Sequence, residues 1–152
     1  VGIGSGLDAL ILKGEGLEVT CVDGSKSMVE KTRKLGFKSY LMDFEAMEFP
    51  RESFDGVWAY TSLLHVPKTD AEKVLEKIYQ ILKPSGVFLI GMIEGNFEGK
   101  IEREGWQGAK RYFRYYSEEE LTRMVTGAGF TLSFQEKYKP SSKTYLSQIY
   151  TK

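Results

Sequence analysis

The chain opens on Val1-Gly2-Ile3-Gly4-Ser5-Gly6-Leu7, an apolar lead into three alternate glycines and then a helical pattern. Glycine takes φ > 0 and lets a ligand reach main-chain atoms without meeting a Cβ. A turn of this kind between a strand and a helix makes a cradle at the helix N-terminus. The spacing is tighter than the dinucleotide fingerprint, whose third glycine stands three residues after the second; that position is Leu7 here. Asp23-Gly24-Ser25 closes a β-branched run, Asp43-Phe44 closes a short strand signal, and His65 stands in the loop after a third strand signal. An acid at the end of the second strand, about twenty residues past the glycines, can accept both hydroxyls of a ribose. The alternative is an acid that only caps the next helix. Asp43 with Phe44 can offer an acceptor to an exocyclic amine and a flat face to a purine, or be a surface acid beside a core ring. His65 is the one side chain here whose unperturbed pKa suits proton abstraction near neutrality; its other reading is a loop histidine that caps backbone or packs.

Elements must hold these residues in place. A strand is usually about five or six residues long, so most of the strand that should feed the glycine loop is expected upstream of Val1. Leu7, Leu10 and Ile11 recur at helical spacing, with Gly14 and Gly16 as the stop. Residues 18–22 read as a buried strand ending at Asp23. A helix follows, capped at Ser25 or Ser27, with Ser27 and Glu30 spaced as a capping box and Met28, Thr32 and Leu35 along one face before Gly36. Strands are predicted over 39–42 and 54–60, then a loop from Thr61 to Pro67. Thr69 and Glu72 are spaced to open an amphipathic helix that carries Ala71, Val74, Leu75, Ile78, Ile81 and Leu82. The nearly unbroken apolar run 86–93 reads as a strand covered on both faces. Alternation of strand and helix implies a parallel sheet with right-handed crossovers.

Residues 94–116 are polar at first and aromatic at Tyr112, Phe113, Tyr115 and Tyr116, and read as a long irregular segment, a candidate lid or substrate loop. Ser117 and Glu120 are spaced to cap a late helix. The strands predicted over 130–138 and 143–151, joined by Pro140-Ser141-Ser142, form an antiparallel hairpin. With no repeats, low-complexity tract or linker, residues 1–152 read as one α/β domain.

Composition narrows the chemistry. Charged residues make up 28% and hydrophobic ones 41%, as in an ordinary globular protein. Twenty-one basic residues balance twenty-one acidic ones, so net charge offers nothing to a nucleic acid. No apolar run has the length of a membrane span. One cysteine, Cys21, and one histidine leave little for a transition-metal site, so any metal would need carboxylate ligands, and a lone cysteine points to the cytoplasm by default.

Taken together, several stretches resemble the class I S-adenosylmethionine-dependent methyltransferases, particularly those acting on small molecules. Gly2-Ile3-Gly4-Ser5-Gly6 resembles that family's G-x-G-T/S-G motif, and residues 18–25 its second strand with the ribose acid. Residues 43–50, followed by Phe54-Asp55-Gly56-Val57, are similar to its adenine segment and fourth strand. Ile81-Leu82-Lys83-Pro84-Ser85-Gly86 is similar to its LKPGG-like turn. The resemblance implies a Rossmann-like, doubly wound, mostly parallel sheet of order 3-2-1-4-5-7-6 with a C-terminal antiparallel hairpin, its first strand largely missing from this chain.

It also implies S-adenosylmethionine as cofactor and S-adenosylhomocysteine as product. Gly2, Ile3, Gly4, Ser5 and Gly6 would approach the methionine part, and Asp23 with Gly24 and Ser25 the ribose. Asp43 and Phe44 would hold adenine, and Ala59 and Tyr60 the methionine end near the reacting methyl. Tyr60 and His65 are the catalytic candidates. The family's Asn/Asp-Pro-Pro-Tyr/Phe motif of amino methylation is replaced by Tyr60-Thr61-Ser62-Leu63, and the Pro-Cys nucleophile of cytosine methylation is absent. The expectation is therefore methyl transfer to an O or N atom of a small organic acceptor, with no metal, nucleic acid or membrane partner and an oligomeric state left open. A regulator or subunit that binds the cofactor without turnover is the alternative. An NAD-dependent oxidoreductase is disfavoured by Leu7.

Overall fold

The computed structural model describes residues 1–102, 108 and 110–152. The chain forms two compact units, Val1–Glu48 and Phe49–Lys152.

The first unit runs α1 (Leu7–Gly14), β1 (Thr20–Asp23), α2 (Lys26–Lys34), β2 (Lys38–Leu41) and a 3₁₀ turn at Phe44–Ala46. β1 and β2 pair in parallel, from Thr20 opposite Lys38 to Asp23 opposite Leu41. Parallel neighbours need a crossover, and α2 supplies it. Ala9, Cys21 and Phe37 form a buried cluster to which Ile3 and Val19 add their sides. On α2 the buried residues are Val29 and Thr32, whereas Leu35 is exposed. Thr32 belongs in the interior because its hydroxyl is satisfied there, meeting the Ser39 hydroxyl at 2.8 Å and the Val29 carbonyl at 3.1 Å. The Ser27–Glu30 capping box does not form. Ser25 takes the extended N-cap conformation because its N–H donates to Asp23 Oδ1 at 2.8 Å, which leaves Ser27 inside the helix.

The second unit runs β3 (Phe54–Tyr60), a 3₁₀ turn at Leu63–His65, α3 (Lys68–Ile81), β4 (Leu82–Ile93), β5 (Glu98–Glu102), β6 (Lys110–Arg114), α4 (Glu118–Gly127), β7 (Thr131–Tyr138) and β8 (Tyr145–Thr151). Its main sheet has the order β3-β4-β8-β7, with β3 and β4 parallel and the C-terminal strands antiparallel. Along β4, Phe88, Ile90 and Met92 alternate into the core, and α3 buries Ala71, Val74, Leu75, Ile78 and Ile81. Phe130 is the hub of the aromatic packing: Tyr79 meets it edge-on at 5.1 Å, and Phe88 lies tilted to it at 5.2 Å. Buried Gln148 is satisfied by Thr122 and Gln135, and it accepts the Tyr150 hydroxyl at 2.7 Å.

Three sequence expectations change here. Residues 98–102 and 110–114 pair as an antiparallel hairpin where an irregular loop was expected, and residues 103–107 and 109 of that stretch lie outside the described residues. The register explains the pairing, since it sets Glu98 opposite Arg114 and Glu102 opposite Lys110, and opposite charges favour a cross-strand pair. Thr69 does not cap α3; Pro67 holds the N-cap position, and Thr69 lies within the first turn with its hydroxyl on Asp70. Ser117 caps α4 by accepting the Glu120 N–H at 3.1 Å. The reciprocal half of that box is absent, because the Glu120 carboxylate is taken by Arg114 at 2.6 Å and Lys68 at 2.9 Å.

Burial raises the Glu120 pKa, but the hydrogen bonds from Lys68 and Arg114 outweigh it and hold the carboxyl below its usual value. A depressed folded pKa stabilises above the unfolded value, about 4.3, and that stabilisation is lost as pH falls through the folded one. Glu120→Gln should therefore lower stability at neutral pH by about 1–2 kcal/mol. Urea unfolding at stepped pH should show the gap to wild type closing through that acid window; a gap independent of pH would contradict the ion-pair origin.

Candidate functional site

In the first unit the glycine loop is held against the end of β1 by main-chain bonds. The Gly2 and Ile3 N–H groups donate to the Val22 carbonyl at 2.8 and 3.3 Å, and Gly6 N–H donates to Ile3. Gly2, Gly4 and Gly6 have φ of +65°, +54° and +87°, a region in which a side chain is strained. Gly6 is also tightly packed: an added Cβ would stand 3.0 Å from the Thr32 methyl and 3.2 Å from Leu35, so both side chains would have to give.

Asp23 is the junction. Its Oδ2 accepts the Gly4 N–H at 3.0 Å and its Oδ1 the Ser25 N–H at 2.8 Å, so one carboxylate joins the glycine loop to the entry of α2. Each oxygen of a carboxylate has a second lone pair, which keeps acceptor capacity for two hydroxyls. The helix-capping role and the ribose role are therefore compatible in one side chain. Asp43 leaves the neighbouring strand at the same end, where the Met42 N–H donates to the Asp23 carbonyl. A Cβ at Gly24 would lie 2.7 Å from Asp43 Oδ1, so Gly24 makes room for that carboxylate. Phe44 opens the 3₁₀ turn and is half-buried. The structure thus brings the glycine loop, Asp23, Gly24, Ser25, Asp43 and Phe44 to the carboxyl ends of two adjacent parallel strands, where open α/β sheets bind ligands.

In the second unit, Ala59 is fully buried near the end of β3 and Tyr60 is half-buried. The Tyr60 ring lies against the backbone of Gly91 on β4, where an added Cβ would be 2.3 Å from its Cδ2. Sequence reasoning passed over Gly91, although a lone glycine in an apolar strand signals a close approach. Thr61 follows with φ +49° and donates its N–H to the Gly91 carbonyl at 2.8 Å. A β-branched residue in that conformation is strained. His65 closes the next 3₁₀ turn, with Nδ1 2.7 Å from the Tyr112 carbonyl oxygen and its ring edge-on to Phe113 at 4.6 Å.

The aromatic run serves packing. Lys143 stands over the Tyr115 ring at 5.3 Å and donates to its hydroxyl, while Arg114 stands over the Tyr116 ring at 4.7 Å. The protein's own cations therefore occupy those faces. Arg114, 6% exposed, was also passed over by sequence reasoning, because nothing in an alternating charged and aromatic run marks which charge turns inward. Burial pushes the Cys21 thiol up, as befits an inert core cysteine. Among the described residues no group of three or more His, Cys, Asp and Glu could hold a metal, and no helix is long and apolar enough to cross a membrane.

The chain matches the family model of a methyltransferase domain over residues 1–90. It belongs to that family, the class I S-adenosylmethionine-dependent methyltransferases. It is 30% identical over 102 residues to a sterol 24-C-methyltransferase of Debaryomyces hansenii, covering 61% of this chain and 26% of that protein. It is 37% identical over 103 residues to an S-adenosyl-L-methionine-dependent Diels-Alderase, iccD, of Talaromyces variabilis, covering 61% and 35%. The chain thus spans between a quarter and about a third of these relatives' length. In fold it is similar to a SAM-dependent methyltransferase from Methanosarcina mazei, with a TM-score of 0.88 at 15% identity over 99% of this chain and 89% of that one. The α/β class, the parallel β3–β4 pair and the antiparallel C-terminal strands agree with the sequence expectation.

Gly91→Ala should destabilise the fold by about 1–3 kcal/mol, the usual cost of overpacking. The loss should largely vanish in a Tyr60→Ala background, because the clash is with that ring. A double-mutant cycle by denaturant unfolding reads the coupling; additive costs would mean that Gly91 answers to something else.

Proposed function

We propose that this chain is the cofactor-binding domain of a methyltransferase that moves a methyl group by in-line displacement to an O or N nucleophile of a small organic acceptor. The observation that carries it is the Asp23 carboxylate, tied by two backbone N–H groups at the mouth of a glycine loop whose φ values disfavour side chains. These residues fit S-adenosylmethionine: Gly2 to Gly6 would accept its amino-acid end, Asp23 with Gly24 and Ser25 its ribose hydroxyls, and Asp43 with Phe44 its adenine. That cofactor supplies a methyl group already activated on a sulfonium.

The protein's own task is then orientation and dryness. Holding a nucleophile in line can lower the barrier by about 7–11 kcal/mol, so a strong base is not required. Tyr60, set by Gly91, and Ala59 are assigned to the carboxyl end of β3, where the methionine end would be lined. His65 is assigned the acceptor's proton where that acceptor is a hydroxyl or an ammonium. The kinship with a protein named as a Diels-Alderase supports a second reading, in which the cofactor is bound and no methyl is passed.

Calorimetric titration of the native full-length protein with S-adenosylhomocysteine tests the assignment. Wild type should bind, and Asp23→Ala should lose at least about tenfold in affinity, the worth of charge-assisted hydrogen bonds. Gly24→Ala should weaken binding while leaving the melting temperature nearly unchanged, since it displaces only the exposed Asp43 carboxylate. A well-folded wild type that ignores S-adenosylhomocysteine would refute the proposal. Binding without transfer to a broad acceptor panel would favour the second reading.

A further inference from the structure

The Tyr112 carbonyl oxygen has no proton to give, so at 2.7 Å the His65 Nδ1 must be the donor. A neutral imidazole that carries its proton on Nδ1 carries its lone pair on Nε2. Phe113, edge-on at 4.6 Å, sets the plane of the ring. Both contacts come from β6, 47 residues away in sequence for Tyr112, so the imidazole is held by the hairpin and not by its own turn alone.

The hairpin is in turn braced. The Tyr112 hydroxyl on β6 donates to the Glu98 carboxylate on β5. Burial first, and then Glu98, pushes that phenol up to about 12, so it stays a donor across the neutral range. Arg114, two residues along, meets Glu120 of α4 at 2.6 Å and stands 3.7 Å from Glu98. Lys68 at the start of α3 shares Glu120. The strand that presents the Tyr112 carbonyl is thus fixed to β5 and α4.

We propose that the β5–β6 hairpin is a positioning element for His65. The Tyr112 carbonyl holds the imidazole as the Nδ1–H tautomer and makes Nε2 its proton-accepting nitrogen, while the Glu98–Tyr112 bond keeps that carbonyl in place. Only the use of the proton rests on the methyltransferase reading; the tautomer belongs to the protein alone.

The chain has one histidine, so proton–nitrogen multiple-bond correlation spectroscopy of nitrogen-labelled full-length protein, above the imidazole's titration, reads His65 without assignment. Nδ1 should be pyrrole-like and Nε2 pyridine-like, the reverse of a solvated imidazole; the Nε2–H pattern would overturn the proposal. In Glu98→Ala, which leaves the Tyr112 hydroxyl without its acceptor, the two nitrogen shifts should move toward each other as the Nε2–H share grows, and unmoved shifts would remove the hairpin's part. His65→Asn keeps an amide N–H near the Nδ1 position and should melt closer to wild type than His65→Gln; equal tolerance of the two would count against the Tyr112 bond. Wild type that shows the Nδ1–H tautomer yet does not bind S-adenosylhomocysteine would support this inference and refute the methyltransferase reading.

Discussion

Two backbone N–H groups that are far apart in sequence, those of Gly4 and Ser25, converge on the carboxylate of Asp23. The first unit depends on that convergence. The glycine loop anchors itself by one side chain, Ile3 against the buried cluster, and its glycines have more conformations to lose on folding than any other residue. The Asp23 side chain and the Val22 carbonyl at the end of β1 restrict that freedom. The Asp23 carboxylate also starts α2 at Ser25, where a capping-box reading would start it two residues later. The same carboxylate that could serve a ribose is therefore part of the scaffold, and function and local stability rest on one side chain.

In the second unit the corresponding constraint is steric. Gly91 lets the Tyr60 ring lie on the β4 backbone, and its carbonyl accepts the N–H of the strained Thr61. One residue thus sets both the side chain that ends β3 and the turn that leads to His65. Around that turn three polar side chains are paired across elements: His65 to β6, Tyr112 to β5, and Arg114 to α4. Charge-assisted bonds between half-buried groups are strong enough to order long side chains that would be mobile at a surface.

Much of this was legible before any coordinates. Short-range chemistry marked the glycine loop, the acids at the ends of β1 and β2, the α3 face and the C-terminal hairpin, because each is written in adjacent residues or in a period of two or 3.6. The caps were less secure. Ser27–Glu30 and Thr69–Glu72 have the spacing of a capping box, yet the chain enters each helix earlier, at Ser25 and Pro67. A motif gives permission for a cap, and the competing bond to Asp23 or the fixed φ of a proline decides where it falls. The β5–β6 hairpin was missed because its pairing depends on matched charges in two stretches, neither of which alternates cleanly between apolar and polar.

By itself the amino-acid sequence determined the α/β class, the methyltransferase resemblance and which residues could face a cofactor, since those follow from local backbone needs and side-chain chemistry. The tertiary structure alone decided which of the charged residues turn inward, as Arg114 does, that the rings of Tyr115 and Tyr116 are met by the protein's own cations, that Gly91 shapes Tyr60, and which His65 nitrogen carries the proton. Each of these depends on a partner many residues away, and a contact of that kind exists only once the intervening chain has folded and its closure entropy has been met.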